Sequence, residues 1–186
     1  SEDPSPAGGT TGSTGTAGSA SFQDALATLT DGFSSELTGK LEGLRGRVAV
    51  FPVWLRTPAT NRWGSCALGD RIAADVAAAL SSGGRNVLQG TGLKQALLAA
   101  NCGRKALESP EVARGMAMRL TGTAFVQVIT EGSISVQNSG GFGGNRSVSV
   151  QLVARDVQTD RVLVRRDMQA TAPRTVAQAE SQLQQP

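Results

Sequence analysis

The first strong pattern in the chain is a series of large apolar residues at steps of three and four. The series consists of Phe22, Leu26, Leu29, Phe33, Leu37, Leu41 and Leu44. On an α-helix this spacing places all of them on one side. Ser21 is a suitable N-cap, and Asp24 lies near the positive end of the helix. The pattern predicts an amphipathic helix whose apolar side packs against the rest of a domain.

The residues after this helix predict a strand, a loop and a second helix. Residues 47–55, RVAVFPVWL, are rich in β-branched and aromatic side chains, which favour a buried strand. The polar residues 56–65, RTPATNRWGS, predict a loop. Residues 67–84, ALGDRIAADVAAALSSGG, keep their larger apolar side chains on one helical face and end in a glycine pair, as helices often do.

Four more elements are predicted in the middle of the chain. Residues 86–89, NVLQ, predict a short strand, and residues 91–103 predict a helix. Residues 109–122 predict another helix, with serine as N-cap and proline at its first position. Residues 123–130, TAFVQVIT, predict a strand. The predicted order up to this point is helix, strand, helix, strand, helix, helix and strand.

A glycine-rich segment, residues 140–144, separates two stretches in which apolar and polar residues alternate. A phosphate-binding loop would lead into a helix, whereas a strand pattern follows here. A linker between domains is disfavoured because the remaining chain is too short for a second core. The alternation predicts a β-hairpin with a long glycine tip, followed by a turn at residues 156–160 and a final strand.

The order of these elements predicts an α/β (α+β) fold. A strand–helix–strand start implies a right-handed crossover and parallel pairing, whereas strands joined by short turns pair antiparallel. We therefore expect a mixed sheet of about four to five strands, with helices packed on it and antiparallel hairpins at its end.

The two ends of the chain differ in composition from the part between them. Residues 1–20 are rich in Gly, Ser, Thr, Pro and Ala and contain no large apolar side chain, which predicts a flexible linker. Residues 21–175 are predicted to form a single domain, and residues 176–186 a polar tail. A chain that begins in such a linker is typical of a bacterial lipoprotein, in which a lipidated cysteine precedes the tether.

Composition excludes several kinds of chemistry. The 186 residues include no histidine, which removes catalytic triads that use histidine as the base and zinc sites that require it. The two cysteines are too few for an all-cysteine zinc site. A net charge of +3, scattered basic residues and 4% aromatics do not indicate nucleic-acid binding. We predict no catalytic residue, no metal and no cofactor.

Two cysteines are candidates for a covalent role. Cys66 opens one predicted helix and Cys102 closes another. They either form a disulfide, as exported proteins often do, or remain two buried free thiols. The spacing of the two residues does not decide between these alternatives.

Four residues in predicted loops are candidate partner contacts. Asn61, Arg62 and Trp63 follow the first strand, where α/β folds often bind ligands and partners. The alternative for Trp63 is that its ring covers the core. Phe142 is the one aromatic residue in the glycine tip and either contacts a partner or lies in a loop that meets only solvent.

The sequence resembles a family of bacterial envelope lipoproteins over residues 21–172. This family includes the curli secretion lipoprotein CsgG, the penicillin-binding-protein activator LpoB and the flagellar protein FlgO, and its fold is like that of the N-terminal domain of TolB. Four segments carry the resemblance: RVAVFPVW as the first core strand, residues 68–93 as a helix followed by a strand, residues 109–128 as a helix leading into the next strand, and VSVQLVARDVQTDRVL, residues 148–163, as the last hairpin.

The resemblance implies a non-enzymatic module that works by binding on the periplasmic face of the outer membrane. It implies a regulator or scaffold of cell-envelope assembly, similar to the penicillin-binding-protein activator, with an envelope protein such as a peptidoglycan synthase as partner. The alternative is a self-associating subunit of a secretion or flagellar structure. No nucleic acid is implied, and membrane attachment is through a lipid on an upstream cysteine only.

Overall fold

The computed structural model describes residues 19–57, 62–103, 107–138 and 146–171. Most of the predicted linker and the whole predicted tail lie outside these ranges, as do Asn61 and Phe142. The elements are α1 (Ser19–Lys40), β1 (Arg47–Thr57), β2 (Arg62–Gly64), α2 (Ala67–Ser82), β3 (Val87–Leu88), α3 (Gly90–Ala99), α4 (Pro110–Ala124), β4 (Val126–Asn138), β5 (Arg146–Asp156) and β6 (Val162–Thr171).

The strands form one mixed sheet in the order β2-β1-β4-β5-β6, with β3 beside β1. Strand β1 pairs in parallel with β3 and β4, and the hairpins β1–β2, β4–β5 and β5–β6 are antiparallel. The predicted fold class and the antiparallel end of the sheet are confirmed. The described residues contain six strands because the two short ones, β2 and β3, add to the four long ones.

Helices α1 and α2 bury the first core cluster against one face of the sheet. In α1 the predicted apolar stripe is buried, and Phe33 and Leu37 are 0% exposed. The helix starts at Ser19, so Ser21 lies inside it and is not its N-cap. From α2, Ile72 and Leu80 join the same cluster. Full burial of such side chains stabilises a fold by about 1.5–3 kcal/mol each, so α1 is an integral part of the domain.

Helices α3 and α4 bury the second core cluster on the opposite face of the sheet. Successive residues of β1 alternate between the clusters: Val48 belongs to the first and Ala49 to the second. Because neighbouring side chains of a strand point to opposite faces, the sheet separates the two clusters. Leu93 of α3 and Leu120 of α4 supply large side chains to the second cluster.

Strand β1 contains a bulge at its centre. Val50 pairs with Thr130 and Val53 pairs with Gly132, so three steps along β1 match two along β4. Pro52 lies within this irregular stretch, and proline fits there because it has no N–H to donate to a ladder. The extra residue resets the alternation, so that Val53 faces the first cluster and the next residue faces the second.

Strand β4 is longer than the sequence pattern predicts. Thr123 and Ala124 belong to the end of α4, and the strand then runs without a break from Val126 to Asn138. Residues 123–130 and the rising arm of the hairpin are therefore not separate elements. The continuous pairing with β5, from Val128 to Asn138, holds these residues in one strand.

Candidate functional site

Arg62 and Trp63 lie on a short strand at the edge of the described sheet. The sequence predicts a loop here, and this prediction is wrong: Arg62 pairs with Thr57 and Trp63 with Arg56, which makes β1 and β2 a hairpin. Three residues are too few to show the alternation of apolar and polar side chains that marks a strand. Their extended conformation depends on pairing with β1. Asn61, beside them in sequence, lies outside the described residues.

The Trp63 side chain lies between the core and the surface. It is half-buried and packs against the second core cluster. The guanidinium carbon of Arg56 lies over the indole, 5.8 Å from the ring centroid, within the range of a cation–π interaction. Arg62 is exposed beside it. We refer to Arg56, Arg62 and Trp63 as the Trp63 patch, an aromatic side chain with two basic neighbours.

A second tryptophan, Trp54, connects strand β1 to the segment that precedes α4. Trp54 is 1% exposed and packs against Phe51, with ring centroids 6.5 Å apart. Its indole Nε1–H donates a hydrogen bond of 2.7 Å to the backbone carbonyl oxygen of Leu107. Leu107 lies just before Ser109, the residue that caps α4. Trp54 thereby ties the start of α4 to strand β1.

The two cysteines are free and buried. Cys66 belongs to the first core cluster and Cys102 to the second. The sheet lies between them, so the disulfide that the sequence left open is not formed, and the alternative of two buried thiols is the one observed. The Cys66 sulfur accepts the Gly69 N–H at 3.3 Å and caps α2. Burial raises the pKa of the Cys66 thiol, which keeps it protonated and unreactive at neutral pH.

A buried carboxylate on β4 is absent from the sequence-based candidates. The Glu131 side chain is 5% exposed, and its Oε1 atom lies 3.1 Å from Nη1 of Arg114 on α4. Its Oε2 atom and the Nε atom of Arg155 are buried without hydrogen-bond partners. The sequence pattern ends the strand at Thr130 and leaves Glu131 outside any predicted element. The apolar alternation that resumes at Ile134 is the signal that could have revealed one continuous strand.

The surroundings of Glu131 indicate a structural ion pair. Burial raises the pKa of its carboxyl, and the charges of Arg114 and Arg155 oppose that rise. A raised pKa is also typical of catalytic acids, but the charged side chains nearest to Glu131 are arginines. Among the described residues, no group of three or more His, Cys, Asp or Glu is placed to hold a metal ion. The pair links α4 to the sheet.

The Glu131→Gln variant is expected to melt at a higher temperature than the parent at pH 8. Since burial raises the pKa in the folded state, the ionised carboxyl lowers stability above that pKa. This penalty disappears as the pH falls toward the unfolded-chain value of about 4.3. The advantage of the glutamine variant should therefore shrink between pH 8 and pH 4, as measured by thermal melts across that range.

Glu36→Gln is the matched control for this measurement. Glu36 pairs with Arg166 at 2.9 Å, but the two side chains are 39% and 45% exposed. Exposed pairs of this kind contribute about 0–1 kcal/mol, so this variant should show no comparable change with pH. A Glu131→Gln variant that is less stable than the parent at pH 8 would mean that the attraction of Arg114 outweighs desolvation.

Among the helices of the described ranges, none has the length and apolar composition that a membrane span requires.

Solved structures similar to this chain include three bacterial proteins. The C-terminal domain of LpoB from Salmonella enterica aligns with 75% of this chain and 96% of its own, at 17% identity and a TM-score of 0.49. The same domain from Escherichia coli also aligns with 75% of this chain and 96% of its own, at 17% identity and a TM-score of 0.46. Lipoprotein GNA1162 from Neisseria meningitidis aligns over 67% of this chain and 81% of its own, at 13% identity and a TM-score of 0.48. No family model matches the sequence, and no curated protein matches it significantly.

Proposed function

We propose that this chain is the binding module of a bacterial envelope lipoprotein, which regulates or scaffolds envelope assembly by contacting an envelope protein. One observation carries the proposal: each segment that resembles the lipoprotein family lies on the expected element. RVAVFPVW lies in β1, and residues 68–93 run from the first turn of α2 through β3 into α3. Residues 109–128 run from α4 into β4, and residues 148–163 cover most of β5, the following turn and the first two residues of β6.

Action by binding rather than catalysis is supported by the chemistry of the chain. It contains no histidine, so the commonest general base is missing. The buried carboxyl of Glu131 is ion-paired with Arg114, which suits a structural role in linking α4 to β4. The proposed partner, by analogy with the penicillin-binding-protein activators that the sequence resembles, is a peptidoglycan synthase. The proposed location of this chain is the periplasmic face of the outer membrane.

The Trp63 patch is the proposed contact surface. Tryptophan and arginine are the residue types most enriched among interface hot spots, and here they lie side by side on an edge hairpin. Two basic side chains around one indole favour an acidic surface on the partner. The packing of Trp63 against the second core cluster holds the ring in place before binding, which reduces the conformational entropy lost on association.

The Trp63→Ala variant is expected to bind its envelope partner about 30-fold more weakly, the loss typical of a hot spot. The measurement is capture from envelope extract by the immobilised full chain, followed by titration of the captured protein. Because the ring is only half-buried, the variant should melt within a few degrees of the parent, about 3 °C. Leu98→Gln is a control, since Leu98 is 64% exposed and lies on α3.

Arg62→Gln keeps the test decisive if Trp63→Ala unfolds. Arg62 is exposed, so its replacement leaves the core intact and should slow association and weaken its dependence on salt. Capture of no envelope protein, or of copies of this chain alone, would contradict the proposal. Equal partner binding by the parent, Trp63→Ala and Arg62→Gln would place the contact surface elsewhere.

A further inference from the structure

Phe125 combines two properties that folding stability does not explain. Its side chain is 64% exposed, and its backbone is in the left-handed region, with φ 54° and ψ 43°, at the end of α4. Glycine or asparagine normally takes this position, because a Cβ atom is strained there. Asn101 and Asp160, the other non-glycine residues with positive φ in the described ranges, are types that tolerate it. Strain without burial suggests that the side chain has a role at the surface.

Hydrogen bonds place the backbone of Arg47 beside Phe125 and the side chain of Arg85 near the start of β1. The backbone N–H of Arg47 donates to the carbonyl oxygen of Phe125 at 2.9 Å. Nη1 of Arg85 donates to the carbonyl oxygen of Leu44 at 3.0 Å, three residues before Arg47. Arg45, between Leu44 and Arg47, is exposed, and Arg47 and Arg85 are half-buried. We refer to Arg45, Arg47, Arg85 and Phe125 as the Phe125 end of the domain.

The described acidic residues at this end are fewer than the basic ones, and two of the three form hydrogen bonds or an ion pair. The β5–β6 turn lies at the same end, since Asp156 pairs with Val128 near the start of β4. Oδ1 of Asp156 accepts the N–H groups of Gln158 and Thr159, and Asp160 pairs with Arg155 at 3.5 Å. Glu42 is exposed, but Lys40 and Arg161 are exposed as well. Among the described residues, the charge at this end is therefore net positive.

Apolar exposure at this end is small and dispersed. Val162, at the start of β6, is 40% exposed. Strand β5 separates β6 from β4 in the sheet. A protein partner needs a packed, continuous patch around its anchor residues. A fluid bilayer, in contrast, requires no matching shape. An isolated aromatic side chain can insert into it when basic side chains around that residue contact the phosphates.

We propose that the Phe125 end docks on the surface of an anionic phospholipid bilayer. The Phe125 ring enters the boundary between headgroups and acyl chains, and the guanidinium groups of Arg45, Arg47 and Arg85 lie among the phosphates. This contact is made by the folded domain itself and does not depend on the proposed function or on a lipid anchor. It orients the domain with the amino ends of β1, β3 and β4 toward the membrane.

The test is sedimentation of the full chain with vesicles at about 20 mM salt, where surface charges are weakly screened. We expect binding to vesicles containing about one third phosphatidylglycerol and little binding to pure phosphatidylcholine. Phe125→Gly should lower the partition coefficient about tenfold. The same variant should melt about 2 °C higher, because glycine relieves the left-handed strain and little burial is lost. A structural role for the ring would give the opposite change in melting.

Met118→Gln is the matched control. Met118 is 57% exposed on the same helix, two turns before Phe125 and about 10 Å from it along the axis, so its replacement should leave vesicle binding unchanged. Arg45→Gln combined with Arg85→Gln should reduce binding to the anionic vesicles. Absence of parent binding to those vesicles, or equal binding by Phe125→Gly, would overturn the proposal. Loss of an envelope protein from the Phe125→Gly capture, without vesicle binding by the parent, would identify a protein contact instead.

Discussion

The Gly69→Ala variant is expected to lose about 3 kcal/mol of folding free energy, although alanine is the better helix former. A Cβ atom at this position would lie 1.9 Å from the carbonyl oxygen of Val53 and 3.0 Å from its carbonyl carbon. These are backbone atoms of the central strand β1, so no side-chain rotation relieves the overlap. Helix α2 would have to move away from the sheet, and Ile72 and Leu80 would lose packing in the first core cluster.

Chemical denaturation followed by circular dichroism measures this loss. Gly115→Ala is the matched control, because Gly115 is also helical but a Cβ atom there would meet no heavy atom within 4 Å. Alanine at this exposed position should stabilise α4 by about 0.5–1 kcal/mol. The two substitutions should therefore have opposite signs. A Gly69→Ala variant as stable as the parent would show that α2 does not approach β1 as closely as described.

The Trp54→Ala variant is expected to lose about 4 kcal/mol of folding free energy. The indole is 1% exposed and forms part of the second core cluster. Removing it leaves a cavity between β1 and the start of α4 and leaves the carbonyl of Leu107 without its donor. The loss should appear as a lower midpoint in chemical denaturation.

Trp54→Phe separates packing from hydrogen bonding. Phenylalanine keeps most of the buried ring but cannot donate to Leu107, so the expected loss is about 1 kcal/mol from the hydrogen bond, with a smaller packing term. If Trp54→Phe destabilises as much as Trp54→Ala, the hydrogen bond to the residues before α4 outweighs the packing. If neither variant changes stability, the second core cluster is not organised around Trp54.

Helices and long strands were predictable because their signals are local. The stripe from Phe22 to Leu41 repeats with the period of a helix, and the structure buries it. Ser109 and Pro110 mark the start of α4, and the hydroxyl of Ser109 accepts the N–H of Val112. Alternating residues on both sides of the glycine tip predicted the β4–β5 hairpin, which the register confirms.

The candidate site was predicted less well because its geometry depends on pairing between distant residues. The sequence singled out Trp63 as a candidate partner contact, which stays a prediction, but its strand and its cation–π partner Arg56 follow from the β1–β2 register. Glu131 was missed because the predicted strand ends at Thr130, one residue before it. Its burial depends on Arg114, which lies 17 residues earlier on a packed helix.

The sequence by itself determined most of the helices and long strands, the mixed parallel and antiparallel sheet, and the absence of histidine chemistry, because periodicity and composition are properties of the chain alone. The tertiary structure decided which face of the sheet each element covers. It thereby separated Cys66 from Cys102, required glycine at position 69 against Val53, and placed Phe125 beside Arg47 in a strained backbone. These features arise from the register and bulges of β1 and from the helices packed on either side of it, and such contacts between distant residues leave no periodic trace in the sequence.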